Sequence, residues 1–261
     1  MTKQEEIYGP LLDDFCLKIK KYYKKIDIPG LFLANVMPNY SNSKIKYFYI
    51  GQDTYYWTDF DNMVDLCASN NAKNYIKTNN KWLSPKNIIS QSSNNAGSFW
   101  TMVIRLHIYL SQNEFVNVNQ LTNEQKELLK TIGWGNLNSI ELPESLKKEE
   151  RWEGINENHY WDIKNKSEVF DKIKLIFEIY DPDIIFIFNW CSDSKAEQAL
   201  EGLDVKFNKD TFIQNIISTY DVKGTNKKII WSSHPNNLKW QGTNINNAIK
   251  IIYETYKKII T

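Results

Sequence analysis

Two short polar segments carry the side chains best suited to catalysis. Residues 51–57 read GQDTYYW and residues 234–238 read HPNNL. The carboxylate of Asp53 can orient or deprotonate a water molecule, and the imidazole of His234 can donate a hydrogen bond to a leaving group. Taken alone, Asp53 is more often a turn residue, and a His-Pro pair is usually a surface turn. The presence of both segments in one chain favours a hydrolytic site.

Short apolar strands must position these segments. KIKYFYI at residues 44–50 runs into Gly51, IIFIF spans 184–188, KIIW spans 228–231, and a further short segment lies around Ile132 to Ile140. Apolar strands separated by amphipathic helices predict a three-layer α/β/α sandwich with a central, mainly parallel four-stranded sheet. Ligands bind such sheets at the carboxyl ends of the strands, so a functional site is expected in the loops after Ile50, near Asn136, after Phe188 and after Trp231.

The segments between the predicted strands have the apolar spacing of helices. Apolar residues from Pro10 to Ile26 recur at helical spacing and predict an amphipathic first helix. Further helices are marked by Ser98, by Thr122 with Gln125, by the run from Val169 to Phe177, by Ser194 with Glu197, and by the run from Thr243 to Tyr256. The acidic, apolar-poor stretch at 141–162 is interpreted as a surface insertion. We expect one domain over residues 1–261.

The composition excludes several classes of protein. Hydrophobic residues make up 42% and charged residues 24%, which is typical of a folded domain. The net charge is +1, so any nucleic-acid binding must use a local basic patch. The interval from Leu66 to Asn113 holds cations and no carboxylate, and from Lys223 onward seven lysines face only Glu254. By default such stretches are solvated faces.

Cysteine and histidine usage argues against a bound metal. Cys16, Cys67 and Cys191 are scattered, which indicates neither a disulfide framework nor a thiolate site and favours a reducing compartment. His107 and His159 have no second ligand at metal spacing. Residues 1–25 lack the apolar region of a secretion signal, and no apolar run is long enough to span a membrane. We therefore expect a cytoplasmic protein with no cofactor.

GQDTYY and HPNNL together resemble the two signature motifs of the uracil-DNA glycosylase superfamily. They are similar to the branch whose motifs read GQDPYH and HPSPLS. Asn136, in GWGNLNS, matches an Asn that the family places at the end of its second strand, and the strand after Pro182 fits the family's third. The resemblance covers roughly residues 44–255.

The resemblance implies a role for each matching residue. Asp53 would activate the attacking water and stabilise the positive sugar, while a neutral His234 would donate to the base oxygen. An Asn amide offers a donor and an acceptor to a pyrimidine edge, so Asn136 is the expected base reader and Asn138 the alternative. Other expected contacts to the base come from Gln52, from Tyr55 as the methyl-excluding ring, and from a stacking aromatic, for which Phe99, Trp100 and Phe60 are the choices. Leu238 would be the wedge that holds the base out of the duplex, beside Lys239 on the DNA.

The sequence departs from the family pattern at four positions of the motifs. Thr54 replaces a proline, Tyr56 a histidine, and Asn236 and Asn237 replace Ser and Pro. The expected activity is therefore excision of uracil or a modified pyrimidine from DNA by a monomer, in repair or in defence against phage. The alternative is a catalytically idle nucleic-acid-binding relative, which would not need both Asp53 and His234.

Overall fold

The computed structural model describes residues 2–19, 31–52, 72–92, 97–140, 157–189, 193–213, 216–240 and 242–260. Within these ranges the chain forms seven strands and ten α-helices. The strands are β1 (Asn35–Val36), β2 (Tyr47–Gly51), β3 (Gly133–Asn136), β4 (Ile184–Phe188), β5 (Val205–Phe207), β6 (Ile217–Val222) and β7 (Lys228–Ser232). The helices are α1 (Lys3–Ile19), α2 (Ala72–Trp82), α3 (Pro85–Gln91), α4 (Gly97–Gln112), α5 (Asn123–Leu128), α6 (Glu157–Ser167), α7 (Ile173–Tyr180), α8 (Asp193–Leu200), α9 (Pro235–Trp240) and α10 (Ile245–Ile260).

All seven strands form one mixed sheet in the order β1-β3-β2-β4-β7-β6-β5. The four central strands β3, β2, β4 and β7 are parallel. β1 lies antiparallel to β3 at one edge, while β6 and β5 add an antiparallel pair at the other. The sheet thus has seven strands where four were expected. The additional strands are short, or mix polar with apolar residues as ISTYDV does in β6, so they lack the continuous apolar runs of the central strands.

Helices cover both faces of the sheet, which gives the α/β architecture its three layers. On one face, Tyr49 and Phe186 pack with Val103 of α4 and Ile252 of α10. On the other face, Phe48, Ile50 and Ile187 pack with residues of α7 and α8 that include Ile176, Ala199 and Leu200. The side chains of each central strand alternate between the two faces, as a doubly covered strand requires.

The first helix begins well before Pro10, where the periodicity placed its start. The hydroxyl Oγ1 of Thr2 accepts a hydrogen bond from the backbone N–H of Glu5 at 3.2 Å, and Oε2 of Glu5 accepts one from the N–H of Thr2 at 2.9 Å. This reciprocal capping box starts α1 at Lys3, and Pro10 lies inside the helix. The described part of the helix ends at Ile19, so the expected extension to Ile26 falls outside the described residues.

Other helix predictions agree with the structure more closely. Thr122 and Gln125 form both halves of the expected capping box at α5, and α4 begins at Gly97, directly before Ser98. The run from Val169 to Phe177 is divided between a short 3₁₀ turn, Glu168–Asp171, and α7. Of the expected insertion, residues 141–156 lie outside the described residues, and the remainder enters α6 instead of forming an irregular excursion. Among the helices that the structure describes, none has the length and apolar character needed to cross a membrane.

Candidate functional site

The carboxyl ends of the central strands bring the predicted site residues to one edge of the sheet. In the sheet register Gly51 lies opposite Asn136, and Phe188 lies opposite Ser232. Gly51 and Asn136 come two residues after Tyr49 and Trp134, both of which pack on the side of the sheet that α4 covers. Because side chains alternate along a strand, the site opens on the same face as α4.

Asn136 is the most informative residue at this edge. Its side chain is only 6% exposed, yet its Nδ2 has no hydrogen-bond partner among the described residues. Its Oδ1 would lie 2.7 Å from a Cβ on Gly51, and the ring of Phe99 would lie 3.3 Å from the same Cβ. Leaving a buried amide donor unpaired costs about 1 to 3 kcal/mol, and buried polar groups are normally paired. A ligand that enters beside Gly51 and accepts from Nδ2 would satisfy this buried amide.

Phe99 is the aromatic ring that stands beside Asn136. It is partly exposed and meets Phe188 edge-on, with 6.1 Å between ring centroids and 75° between ring planes. Trp100 is only 3% exposed and packs against Trp134 at 4.9 Å, so its ring faces the protein interior. Phe60 lies outside the described residues. Of the two alternatives that the structure describes, Phe99 is the one with a partly exposed ring beside Asn136.

Asn138 has a structural role that Asn136 does not share. Its backbone N–H and its side-chain Nδ2 each donate to the carbonyl oxygen of Gln52, both at 3.1 Å. The backbone N–H of Leu137 likewise donates to the carbonyl of Gly51 at 2.9 Å. Asn138 thus fixes the start of the loop after β2, where the partly exposed Gln52 lies, and the unpaired amide belongs to Asn136.

His234 follows β7 and precedes α9 at the same edge of the sheet. Its Nδ1 accepts a hydrogen bond from the backbone N–H of Asn236 at 3.3 Å. Burial lowers the pKa of His234 from its ordinary value, because desolvation disfavours the charged imidazolium. The imidazole is therefore neutral near pH 7 with its proton on Nε2. This Nε2–H has no partner among the described residues and can serve as a neutral donor.

The separation between these groups suits one small organic ring. β7 is two strands away from β2 and three away from β3, which ends in Asn136, so the end of β7 lies about 10 Å from the end of β2 and about 14 Å from the end of β3 at the usual strand spacing. Side chains that project from these ends can therefore contact one ligand between them. Asp53 and Tyr55, which complete the expected site, lie outside the described residues.

Leu238 does not have the geometry of a DNA wedge. Its side chain is 1% exposed and belongs to the core that α4 and α10 build on the sheet. The carbonyl of His234 accepts from the N–H of Leu238 at 3.1 Å, so the first turn of α9 directs this leucine inward. In this position the side chain is not presented to a base stack, so the wedge expected from the motif stays a prediction without support from the packing of Leu238. Its neighbour Lys239 is exposed and forms no ion pair with a described residue.

The basic stretch near the end of the chain is largely neutralised. Lys223, Lys227 and Lys228 each pair with a carboxylate, respectively Asp204, Asp181 and Asp221. Lys257 similarly pairs with Glu254 at 2.8 Å. The count of seven lysines in the sequence therefore overstates the cationic surface that is available to phosphates. Lys239, which directly follows the segment 234–238, is the lysine nearest in sequence to His234.

Sequence inspection missed a polar network that supports the loop after β3. The Asp171 carboxylate accepts from the backbone N–H of Ser139 at 2.6 Å and from its hydroxyl at 2.5 Å. Its other oxygen accepts from the Lys164 ammonium at 3.0 Å, and both charged side chains are nearly buried.

Asn189 is a second polar residue that sequence inspection missed. It is buried directly after β4, and its backbone N–H donates to the carbonyl of Ser232 at 3.1 Å. A polar residue directly after IIFIF was the available signal for Asn189, whereas nothing local links Asp171 to Ser139.

No protein-family model fits the chain, and no curated protein is significantly similar to it. Within the described ranges, no group of three or more His, Cys, Asp or Glu side chains gathers where it could hold a metal ion.

Proposed function

We propose that this protein is a DNA glycosylase that hydrolyses the bond between deoxyribose and a flipped uracil or modified pyrimidine. The observation that carries the proposal is the buried amide of Asn136, whose Nδ2 is unpaired beside Gly51 and Phe99. A base turned out of a helix offers hydrogen-bonding atoms on its edge and a flat face for stacking. Asn136 and Phe99 supply the complementary donor and ring.

The neutral His234 suits the leaving group of this reaction. When the glycosidic bond breaks, its electrons remain on the base and negative charge develops on the base oxygens. A neutral Nε2–H donor stabilises that charge and needs no proton transfer of its own. The hydrogen bond from Asn236 to Nδ1 holds the imidazole in the tautomer that donates from Nε2.

Asp53 completes the reaction in this proposal. A water molecule attacks C1′ of the sugar as the base departs, a new C1′–OH bond forms, and the water's proton ends on the base. The Asp53 carboxylate would orient that water and stabilise the positive charge on the sugar. Asp53 follows Gln52, whose carbonyl is held by Asn138, so the loop that carries it is anchored at its start.

A panel of oligonucleotides tests the proposal. Duplexes and single strands that carry uracil or modified pyrimidines are incubated with the purified protein and then cleaved with alkali at abasic sites. We expect strand cleavage with at least one base and none after Asn136→Ala. Binding to the same oligonucleotides without abasic sites would instead identify a catalytically idle nucleic-acid-binding protein.

A further inference from the structure

An exposed apolar patch lies at the β5 edge of the sheet. It consists of Phe207 at the end of β5 and Phe212 and Ile213 in the turn that follows, which are 38%, 48% and 41% exposed. The Phe207 ring meets Phe212 at 5.6 Å and 70°, and it meets Tyr220 of β6 at 5.6 Å. Single exposed apolar residues are common, whereas contiguous ones indicate a binding surface.

Hydrogen bonds connect this patch to the candidate site. β5 is antiparallel to β6, which is antiparallel to β7, so β5 runs in the direction of β7. Through Tyr220 of β6, Phe207 lies level with Ile229 near the start of β7, whereas Ile213, which bridges to Ile217, lies level with Ser232 at the carboxyl edge. The N–H of Ile213 donates to the carbonyl of Ile217 at 3.0 Å, and the N–H of Ser233 donates to the carbonyl of Ile216 at 3.0 Å. Ser233 is adjacent to His234, and two strand spacings of about 4.8 Å separate β5 from β7. A DNA strand with one nucleotide in the site can therefore reach the patch.

Two lysines lie close to the two rings along the chain. Lys206 and Lys209 are exposed, and neither forms an ion pair with a described residue. Asp221, which lies opposite Lys206 across the strands, is instead paired with Lys228 at 2.8 Å. Asp210 is the only carboxylate in the segment 207–213. Because side chains alternate along a strand, Lys206 projects from the face opposite Phe207, so Lys209, which lies between the two rings in the sequence, is the cation better placed for this surface. Exposed rings with a cation beside them bind single strands, because bases stack on the rings while phosphates meet the cation.

Pairing with another protein strand fits this edge less well. β5 has only three residues and carries Lys206 at its centre, and short charged edges resist the addition of a further strand. The observations therefore favour a nucleic acid over a second copy of the chain.

We propose that Phe207 and Phe212 form a stacking platform for unpaired bases of single-stranded DNA next to the target nucleotide. This inference rests on the proposed function, since it assigns the platform to the strand whose base enters the site. Because the platform binds unpaired bases, the protein binds single-stranded DNA, or a duplex that is opened around the target base, more tightly than an intact duplex.

Fluorescence anisotropy with labelled oligothymidylate and with a matched duplex tests the platform. Replacing both rings by alanine, Phe207→Ala with Phe212→Ala, should weaken binding to the single strand by about 10-fold or more, since each stacked base contributes substantially to affinity. Phe212→Trp should restore binding, because indole also stacks. Leu17→Ala, at an exposed apolar position on α1, is the matched control and should leave binding unchanged. Thermal unfolding shows whether each variant is folded. If the double variant is unstable, Phe212→Ala alone is measured in the same binding experiment.

Three results would overturn the inference. The first is that the double variant binds oligothymidylate as tightly as the wild type does. The second is that the wild type does not bind oligothymidylate. The third is that the double variant loses a self-association that light scattering detects in the wild type, while its DNA affinity is unchanged. Failure of the proposed function has a different signature. A protein that binds single strands through these rings but creates no abasic sites contradicts the glycosylase and leaves the platform standing.

Discussion

Oδ1 of Asn136 lies 2.7 Å from the position that a Cβ on Gly51 would occupy. Gly51→Ala should therefore displace the amide from the site, because a contact under 3 Å forces one of the two groups to move. We expect excision to fall by about 10-fold or more, with a stability loss of about 1 to 3 kcal/mol from overpacking. Single-turnover excision and urea unfolding measure the two effects.

The control for Gly51→Ala is Gly9→Ala. Apart from its two chain neighbours and the nearby backbone of α1, no atom lies within 4 Å of a Cβ on Gly9, which is inside that helix. Alanine there should change stability by less than about 1 kcal/mol, because the helical gain of alanine over glycine is offset by its contact with the ring of Pro10, and it should leave excision unchanged. Equal excision by the Gly51 variant and wild type would show that the Asn136 amide has no role in the reaction.

Asn136→Ala should separate activity from stability. Removing an unpaired buried donor relieves its desolvation cost, so the midpoint of unfolding should stay near that of wild type or rise. Excision should nevertheless be lost. Asn138→Ala is the comparison, since it breaks a hydrogen bond to Gln52 and should lower stability. A large stability loss in the Asn136 variant would assign that residue a structural task instead.

Excision should depend on the ionisation of His234. Burial lowers the pKa of this imidazole, so the neutral donor persists down to a pH below its ordinary range. The rate should therefore be flat from pH 8 to near neutrality and fall in acid as the imidazole gains a proton. His234→Gln retains an N–H donor and should keep part of the activity with a flatter profile. A rate that rises in acid in the wild type would contradict a neutral donor.

His107 should make the fold sensitive to acid. Burial lowers its pKa from 6.5 to about 4. Nε2 of His107 lies 3.0 Å from the carbonyl of Leu128, so Nε2 carries the proton, and Nδ1 accepts from the Tyr49 hydroxyl at 2.9 Å. The unfolded chain binds a proton below pH 6.5 while the folded chain does not, so stability falls as pH drops from 6.5 toward 4.

The expected loss from His107 is about 1 kcal/mol between pH 7.5 and 5.5. Urea unfolding at the two pH values measures it. His107→Gln can keep both hydrogen-bond roles without titrating and should show a smaller difference. An equal pH dependence in the variant and wild type would assign the loss to other groups.

Leu238→Ala should act through the core. Truncating a buried leucine costs about 2 to 5 kcal/mol of unfolding free energy, and this side chain is 1% exposed. Excision per folded molecule should change equally on duplex and single-stranded substrates. A loss confined to duplex DNA would show that Leu238 leaves the core to act as a wedge.

The central strands were predictable because they are buried on both faces and therefore read as apolar runs. Ile184 to Phe188 matches its predicted range, and Lys228–Ser232 extends the prediction by one residue. β1, β5 and β6 were missed, because the edge strands β1 and β5 are very short and the internal strand β6 mixes polar with apolar residues. Similarly, Thr2 and Glu5 determine where α1 begins, while the apolar periodicity starts later.

The sequence predicts where the candidate site lies on the sheet, but it does not predict the contacts that each of its residues makes. Strand ends and paired polar loops locate Asn136 and His234 at one edge of the sheet. Their sequence contexts do not reveal that Asn138 is committed to Gln52, or that Leu238 turns into the core. Both facts depend on contacts between segments far apart in the chain.

The most direct test of the central claim is single-turnover excision by the wild type, Asp53→Asn and His234→Ala, with DNA affinity measured in parallel. Each catalytic group of this kind contributes roughly 10²- to 10⁴-fold to the rate. We expect abasic sites with the wild type, losses of that size in both variants, and DNA affinities close to wild type. Near-normal excision by both variants, or no abasic site from the wild type on any base, would contradict the account.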